Sequence, residues 1–205
     1  MLKNVARRHG LKLCLDCVSA IGAIPLNLEG VHLATGASGK ALAAFPGLSV
    51  VFHADDVVSE PTRVPRYLDL GYYAEKDGIP FTHSSNLIGA LDAALDRFET
   101  NEPFEQIVEL SNWLRPKLRE LGFQILVPDA YATPAVVTLT IPDDPGAAVV
   151  GEALERHGML VAYQSEYLVR RNWLQIGMMG HCSKADLVRL VTALEKTSPV
   201  LVRQH

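Results

Sequence analysis

Apolar residues fall into two patterns along this chain of 205 residues. In the first half they gather in short runs that stop at turn residues. Leu2 to His9 reads as the end of a helix stopped by Gly10. Leu11-Lys12-Leu13-Cys14-Leu15 ends at Asp16 and predicts a buried parallel strand. Val31 to Thr35 predicts a second strand, and Leu48 to Phe52 a third, preceded by the turn residues Pro46-Gly47. Residues 55–80, punctuated by Pro61, Pro65, Gly71, Gly78 and Pro80, predict no regular element. Leu87, Ile88, Leu91, Ala94, Leu95 and Phe98 then recur at helical spacing.

A polar break at Glu99-Thr100-Asn101-Glu102-Pro103 changes the pattern. Phe104, Ile107, Val108, Leu114, Leu118 and Leu121 mark a long amphipathic helix ending at Gly122, with a kink expected at Pro116. Strands are predicted over Phe123 to Val127, Val136 to Ile141, Met159 to Tyr163 and Trp173 to Ile176. Pro142 to Gly146 is a turn, and Ala147 to His157 a helix closed by Gly158. Ser183-Lys184-Ala185-Asp186 is a capping-box variant that opens a last helix to about Glu195. The predicted division is residues 1–98 and residues 99–205, the second a compact α+β unit.

Composition narrows the class. Hydrophobic residues make up 48% and charged residues 20%, which describes a folded globular protein. The net charge is −4 and no basic run exceeds a pair, so no nucleic-acid or anionic-membrane footprint is expected. No apolar run reaches membrane-spanning length, and the N-terminal residues carry no signal-peptide pattern. Three cysteines, Cys14, Cys17 and Cys182, make no disulfide framework, so a reducing, cytoplasmic setting is expected.

The chemistry centres on Asp16-Cys17-Val18-Ser19 and Ser38-Gly39-Lys40, each closing a short apolar run. An acid and a lysine so placed suit pyridoxal phosphate (PLP): the amine forms a Schiff base with the aldehyde, and the carboxylate keeps the pyridinium nitrogen protonated. Taken alone, the same pair reads as a structural ion pair, and Ser19 and Ser38 as turn or capping residues. Thr82, heading a predicted helix, reads alone as an N-cap. Cys14-Leu15-Asp16-Cys17 is a CxxC, but no second pair and no histidine pair at ligand spacing accompanies it, so no metal site is expected.

Further motifs extend the pattern: Leu15 through Gly22, Thr35 through Leu42, Pro46-Gly47-Leu48, Phe81-Thr82, and Ile176-Gly177-Met178-Met179-Gly180. In this order the chain resembles the C-terminal portion of the class V aminotransferases of PLP fold type I, in the branch of alanine–glyoxylate, serine–pyruvate and 2-aminoethylphosphonate–pyruvate aminotransferases. The resemblance implies an α/β fold: part of the PLP-binding large domain over residues 1–98, then a small α+β domain over residues 99–205. It implies Lys40 as Schiff-base lysine and proton carrier, Asp16 as pyridinium partner, Val18 against the ring face, Ser19 near the ring hydroxyl and Ser38 as phosphate donor. Thr82 would reach the phosphate of the neighbouring subunit of a homodimer.

The departures carry expectations of their own. Where the family holds the substrate carboxylate with an arginine, this chain has Gln175, and Arg170 and Arg171 are the substitutes nearest in sequence. The Gly/Thr-rich phosphate loop and the stacking aromatic of the family's first half have no counterpart. The resemblance therefore implies a transaminase moving an amino group from an amino acid or small amine to a 2-oxo acid such as pyruvate or glyoxylate, here without its N-terminal half. The alternatives are a catalytically silent fragment acting as a folding or interaction module, and a PLP-dependent lyase. Gly39, where the related cysteine desulfurases carry a histidine, argues against desulfuration.

Overall fold

In the computed structural model, which describes residues 2–197, the chain separates into two units that divide between Glu99 and Thr100. The first opens with α1 (Leu2–Arg8), which ends at Gly10 in the left-handed region, φ 62°. Glycine takes that conformation without a Cβ penalty, and the reversal is closed by the Leu11 N–H donating to the Ala6 carbonyl at 2.8 Å. Three strands follow: β1 (Cys14–Asp16), β2 (Leu33–Ala37) and β3 (Ser49–His53), in the order β1-β2-β3. β1 and β2 are parallel, with Asp16 opposite Thr35, and β3 is antiparallel to β2.

The structure corrects the expected burial of β1. Cys14 and Asp16 are exposed and Leu15 is half-buried. Among the described residues β1 pairs on one side only, with β2. Successive side chains point to opposite faces, so Leu15 alone of the three joins the small core of Cys17, Val31 and Ala34. β2 begins at Leu33 instead of Val31 because the Val31 N–H closes a turn onto the Leu28 carbonyl.

Residues 55–80 also contain regular structure, a 3₁₀ turn at Arg66–Leu68 and α2 (Leu70–Ala74). α2 is fixed from a distance. Buried Asp69 accepts from Ser59 Oγ (2.7 Å), the Glu60 N–H (3.0 Å) and the Tyr72 N–H (3.2 Å). Gly71 lies against the Val58–Ser59 backbone, where a Cβ would sit 2.0 Å from the Val58 carbonyl carbon. Local propensity holds no trace of either contact. α3 (Ser85–Leu95) runs on into a 3₁₀ turn at Asp96–Phe98 and is capped by Ser84, which accepts from the Leu87 N–H. Thr82 precedes the cap and heads no helix, a second correction.

In the second unit α4 (Glu102–Glu120) continues through Pro116. β4 (Gln124–Ile125), β5 (Val136–Thr140) and β6 (Trp173–Gly177) form an antiparallel sheet in that order. With α5 (Gly146–Arg156), α6 (Glu166–Val169) and α7 (Lys184–Thr197) they enclose a core that includes Leu114, Leu118, Leu139, Leu154, Leu174 and Leu194, all 0% exposed. Each such leucine contributes about 1.5–3 kcal/mol relative to exposure. α7 opens on the expected box: the Asp186 carboxylate accepts from the Ser183 N–H (3.1 Å) and Ser183 Oγ accepts from the Asp186 N–H (3.2 Å). The Ser183 hydroxyl, donating to Asp186 Oδ2 at 2.6 Å, and then the Ser183 N–H hold the Asp186 carboxyl below the usual carboxylate range.

The strand expected over Met159 to Tyr163 reduces to one bridge, Ala162 to Gln175. The chain leaves the sheet there because Tyr163 turns into the core against Gly151, where a Cβ would come within 2.3 Å of its ring. β4 is likewise shorter than Phe123 to Val127, since Phe123 is itself buried in the core and its N–H returns to the Leu118 carbonyl at 3.0 Å. Among the described residues no helix is long and apolar enough to cross a membrane.

Candidate active site

Asp16 and Lys40 stand at the same edge of the first sheet. Asp16 is the last residue of β1, and Lys40 follows β2 after Ser38-Gly39, so both emerge at the carboxyl ends of neighbouring parallel strands. That edge of an α/β sheet is where ligands bind. The chain turns sharply after Asp16, and Asp16 Oδ1 accepts from the Val18 N–H at 3.0 Å and from Thr35 Oγ1 at 3.4 Å. The carboxylate is exposed, and its Oδ2 has no partner among the described residues. Val18 is half-buried and Ser19 exposed beside it.

Lys40 sits in a loop closed on itself. The Ser38 N–H donates to the Leu48 carbonyl and the Ala44 N–H to the Ser38 carbonyl, both at 3.1 Å. Gly39 is pressed against Pro46, where a Cβ would approach within 2.7 Å, and Ala43 holds φ 59°. A non-glycine residue in that region is strained, and such strain persists only where surrounding bonds enforce it. Lys40 itself is exposed, and its amine has neither a hydrogen bond nor an ion pair among the described residues.

Ser38, expected as the phosphate donor, is enclosed in this loop. It is 0% exposed, its hydroxyl donates to the Phe45 carbonyl at 2.7 Å, and it accepts from the Leu48 N–H at 3.2 Å. The hydroxyl proton is already committed, so Ser38 braces the loop that presents Lys40. Thr82 is exposed, next to Phe81, which packs on Tyr67 at 5.3 Å between ring centroids.

In the second unit, Gln175 lies on the face of β6 opposite buried Leu174 and Ile176. Its Nε2 donates to Oγ1 of Thr138, its cross-strand partner, at 3.1 Å. Trp173 shares that face by the two-residue period of the strand, and Arg171 lies over Trp173 at 5.4 Å and over Tyr167 at 3.9 Å from the ring centroids. Arg170 pairs instead with Glu166, one turn back on α6. Of the two arginines, only Arg171 is thus placed along the side of β6 that carries Gln175.

Thr35, Gly22 and Thr138 are the positions that sequence reasoning missed as partners. Thr35 and Gly22 lie inside the quoted motifs, yet their contacts with Asp16 and with the Lys40 loop appear only when the strands pair. All three cysteines are free, Cys14 exposed and Cys17 buried, and among the described residues no group of three or more metal-ligating side chains gathers.

No protein-family model matches the chain. It is 28% identical over 204 residues to 2-aminoethylphosphonate–pyruvate transaminase 1 of Burkholderia lata, covering 93% of this chain and 55% of that one. It is 27% identical over 207 residues to the 2-aminoethylphosphonate–pyruvate transaminase of Pseudomonas aeruginosa, covering 94% and 55%. The chain thus spans about half the length of the curated relatives it matches. The crystal structure of alanine–glyoxylate aminotransferase from Nostoc sp. superposes with a TM-score of 0.83 at 26% identity over 98% of this chain and 56% of that one. Pyridoxamine–pyruvate aminotransferase from Mesorhizobium loti shares the fold at a TM-score of 0.85 and 21% identity, over 99% of this chain and 56% of that one. By sequence and by fold, the chain is similar to the C-terminal part of the PLP-dependent class V aminotransferases of fold type I.

Proposed function

We propose that this chain supplies the lysine and the pyridinium-binding acid of a PLP-dependent aminotransferase, residues 1–98 belonging to the cofactor-binding large domain and residues 99–205 forming the small domain. The observation that carries this reading is the shared sheet edge of Asp16 and Lys40, both at carboxyl ends of parallel neighbours. The residues fit the cofactor. Asp16 offers an exposed carboxylate with one oxygen free, and Lys40 an exposed, unpaired amine on a braced loop.

When bound, PLP supplies the electron sink that takes up charge from the substrate Cα. Asp16 holds the proton on the ring nitrogen, because a carboxylate beside a basic nitrogen favours its charged form. The Val18 N–H and the Thr35 hydroxyl orient Asp16 for that task. Lys40 anchors the cofactor and, once displaced, carries a proton at Nζ. Val18 covers one face of the ring and Ser19 lies near its hydroxyl. Ser38 acts through the loop, and Thr82 reaches the phosphate across a homodimer.

The donor is an amino acid or small amine and the acceptor a 2-oxo acid such as pyruvate or glyoxylate, a reading supported by the names of the Burkholderia and Nostoc relatives. Gln175 replaces a charged fork with a neutral amide at the carboxylate position, and Arg171 is the better placed of the two neighbouring arginines to compensate. The test is borohydride reduction of the PLP-loaded protein followed by peptide mapping. The cofactor is expected on Lys40; covalent label confined to another lysine overturns the assignment.

A further inference from the structure

One face of α4 carries Ser111, Arg115 and Arg119 at four-residue intervals, a spacing that aligns them along one stripe. The stripe walls an open cleft of about 280 Å³, closed on its other side by Asp129, Ala132 and Pro134. Ser111 is 4% exposed and Arg115 5%, a burial rare for arginine without a purpose. Arg115 Nε donates to Asp129 Oδ1 at 2.8 Å and its Nη2 to the Val127 carbonyl at 2.9 Å. The hydrogen bonds of Arg115 thus run from Nε and Nη2, leaving Nη1 and the Ser111 hydroxyl without a side-chain hydrogen bond among the described residues and within reach of solvent in the cleft. Arg119 Nη2 donates to the same Asp129 oxygen at 2.6 Å. Two guanidiniums against one carboxylate leave one net positive charge in the cleft.

We propose that this cleft is a binding site for a small oxyanion, a phosphate or a carboxylate, held by Arg115 Nη1, the remaining nitrogens of Arg119 and the Ser111 hydroxyl. A brace for the 127–134 segment needs only the Arg115–Asp129 pair. The second arginine and the Ser111 hydroxyl are donors in excess of that task, and both line the same cleft. Arginine forks suit the planar and tetrahedral oxygens of such ligands. Asp129 occupies part of the donor set and keeps the unliganded cleft from holding two bare charges. The site shares no residue with Asp16 or Lys40 and is independent of the aminotransferase reading.

The test is titration of the full ¹⁵N-labelled chain with inorganic phosphate and, separately, with malonate, following the Nε–H signals of Arg115 and Arg119 and the backbone amide of Ser111. Saturable shifts at these groups are expected. Arg119→Gln and Ser111→Ala should each weaken binding about tenfold, the loss expected for one charge-assisted or buried hydrogen bond, with unchanged circular dichroism. Asp129→Asn should tighten binding by freeing donors. Saturation by phosphate alone identifies a phosphoryl ligand, and by malonate alone a carboxylate. Absence of saturable shifts with both anions, or binding undiminished in both weakening variants, overturns the proposal and leaves a structural brace.

Discussion

Gly22 lies directly on the backbone of Ala41: a Cβ at Gly22 would sit 2.9 Å from the Ala41 carbonyl carbon. The turn that follows Asp16 is thereby pressed against the loop that carries Lys40. Gly22 also holds φ 81°, so both its conformation and its contact exclude a side chain. The spacing between the acid and the lysine is set by backbone touching backbone, which cannot be relieved by a rotamer change.

Gly22→Ala should therefore destabilise the first unit by about 1–3 kcal/mol and weaken PLP binding. Gly10→Ala is the control, because Gly10 has a similar φ of 62° but nothing within 4 Å of its Cβ position. Chemical denaturation of both variants measures the difference. Equal losses would show that the Gly22 contact yields and does not set the geometry.

Lys40→Ala should abolish borohydride-fixable PLP while leaving stability within about 0.5 kcal/mol, since an exposed, unpaired side chain is removed. Mass spectrometry after reduction, alongside thermal denaturation, reads both outcomes. Retained covalent cofactor in the variant would remove Lys40 from the proposed chemistry.

Asp16→Asn separates electrostatics from structure. The amide oxygen can still accept from the Val18 N–H and the Thr35 hydroxyl, so the turn should persist. Turnover should fall by about 100-fold or more, the scale of losing a preorganised electrostatic partner. Near-full activity in the folded variant would make Asp16 a turn-stabilising acid only.

Gln175→Arg should raise kcat/KM for alanine about tenfold by restoring a charge-assisted bond to the substrate carboxylate, at the cost of the 3.1 Å bond to Thr138. Arg171→Ala should lower it, whereas Arg170→Ala should change little because Arg170 pairs with Glu166. A loss confined to Arg170→Ala would reverse that assignment.

Acid should loosen the 127–134 segment. Hydrogen bonds from Arg119 and then Arg115 hold the Asp129 carboxyl below the usual carboxylate range. A depressed folded-state pKa adds stability above the unfolded value of about 4, and that contribution disappears as pH falls through the folded value. Asp129→Asn should flatten the acid limb of the stability–pH curve. An identical slope in wild type and variant would show that Asp129 contributes nothing to acid sensitivity.

Much of the architecture could be read along the chain, because periodicity reports which residues must leave water. The amphipathic stripe of α4, the apolar run before Asp16, the run at Trp173 to Ile176 and the Ser183–Asp186 box each marked an element whose cause is local. The residue types Asp16 and Lys40, each closing a short apolar run, raised the proposed cofactor chemistry. Other features were decided only by tertiary contact. Tyr163 left its expected strand for the core against Gly151, and α2 formed because Asp69 gathers donors from ten residues away. Ser38 lost its hydroxyl to the Phe45 carbonyl, and Gly22 met Ala41, because parallel pairing of β1 with β2 brings distant turns to one edge. Hydrogen bonds and close approaches between segments remote in sequence leave no periodic trace in either segment, and these contacts fix how the Asp16 turn and the Lys40 loop are held together.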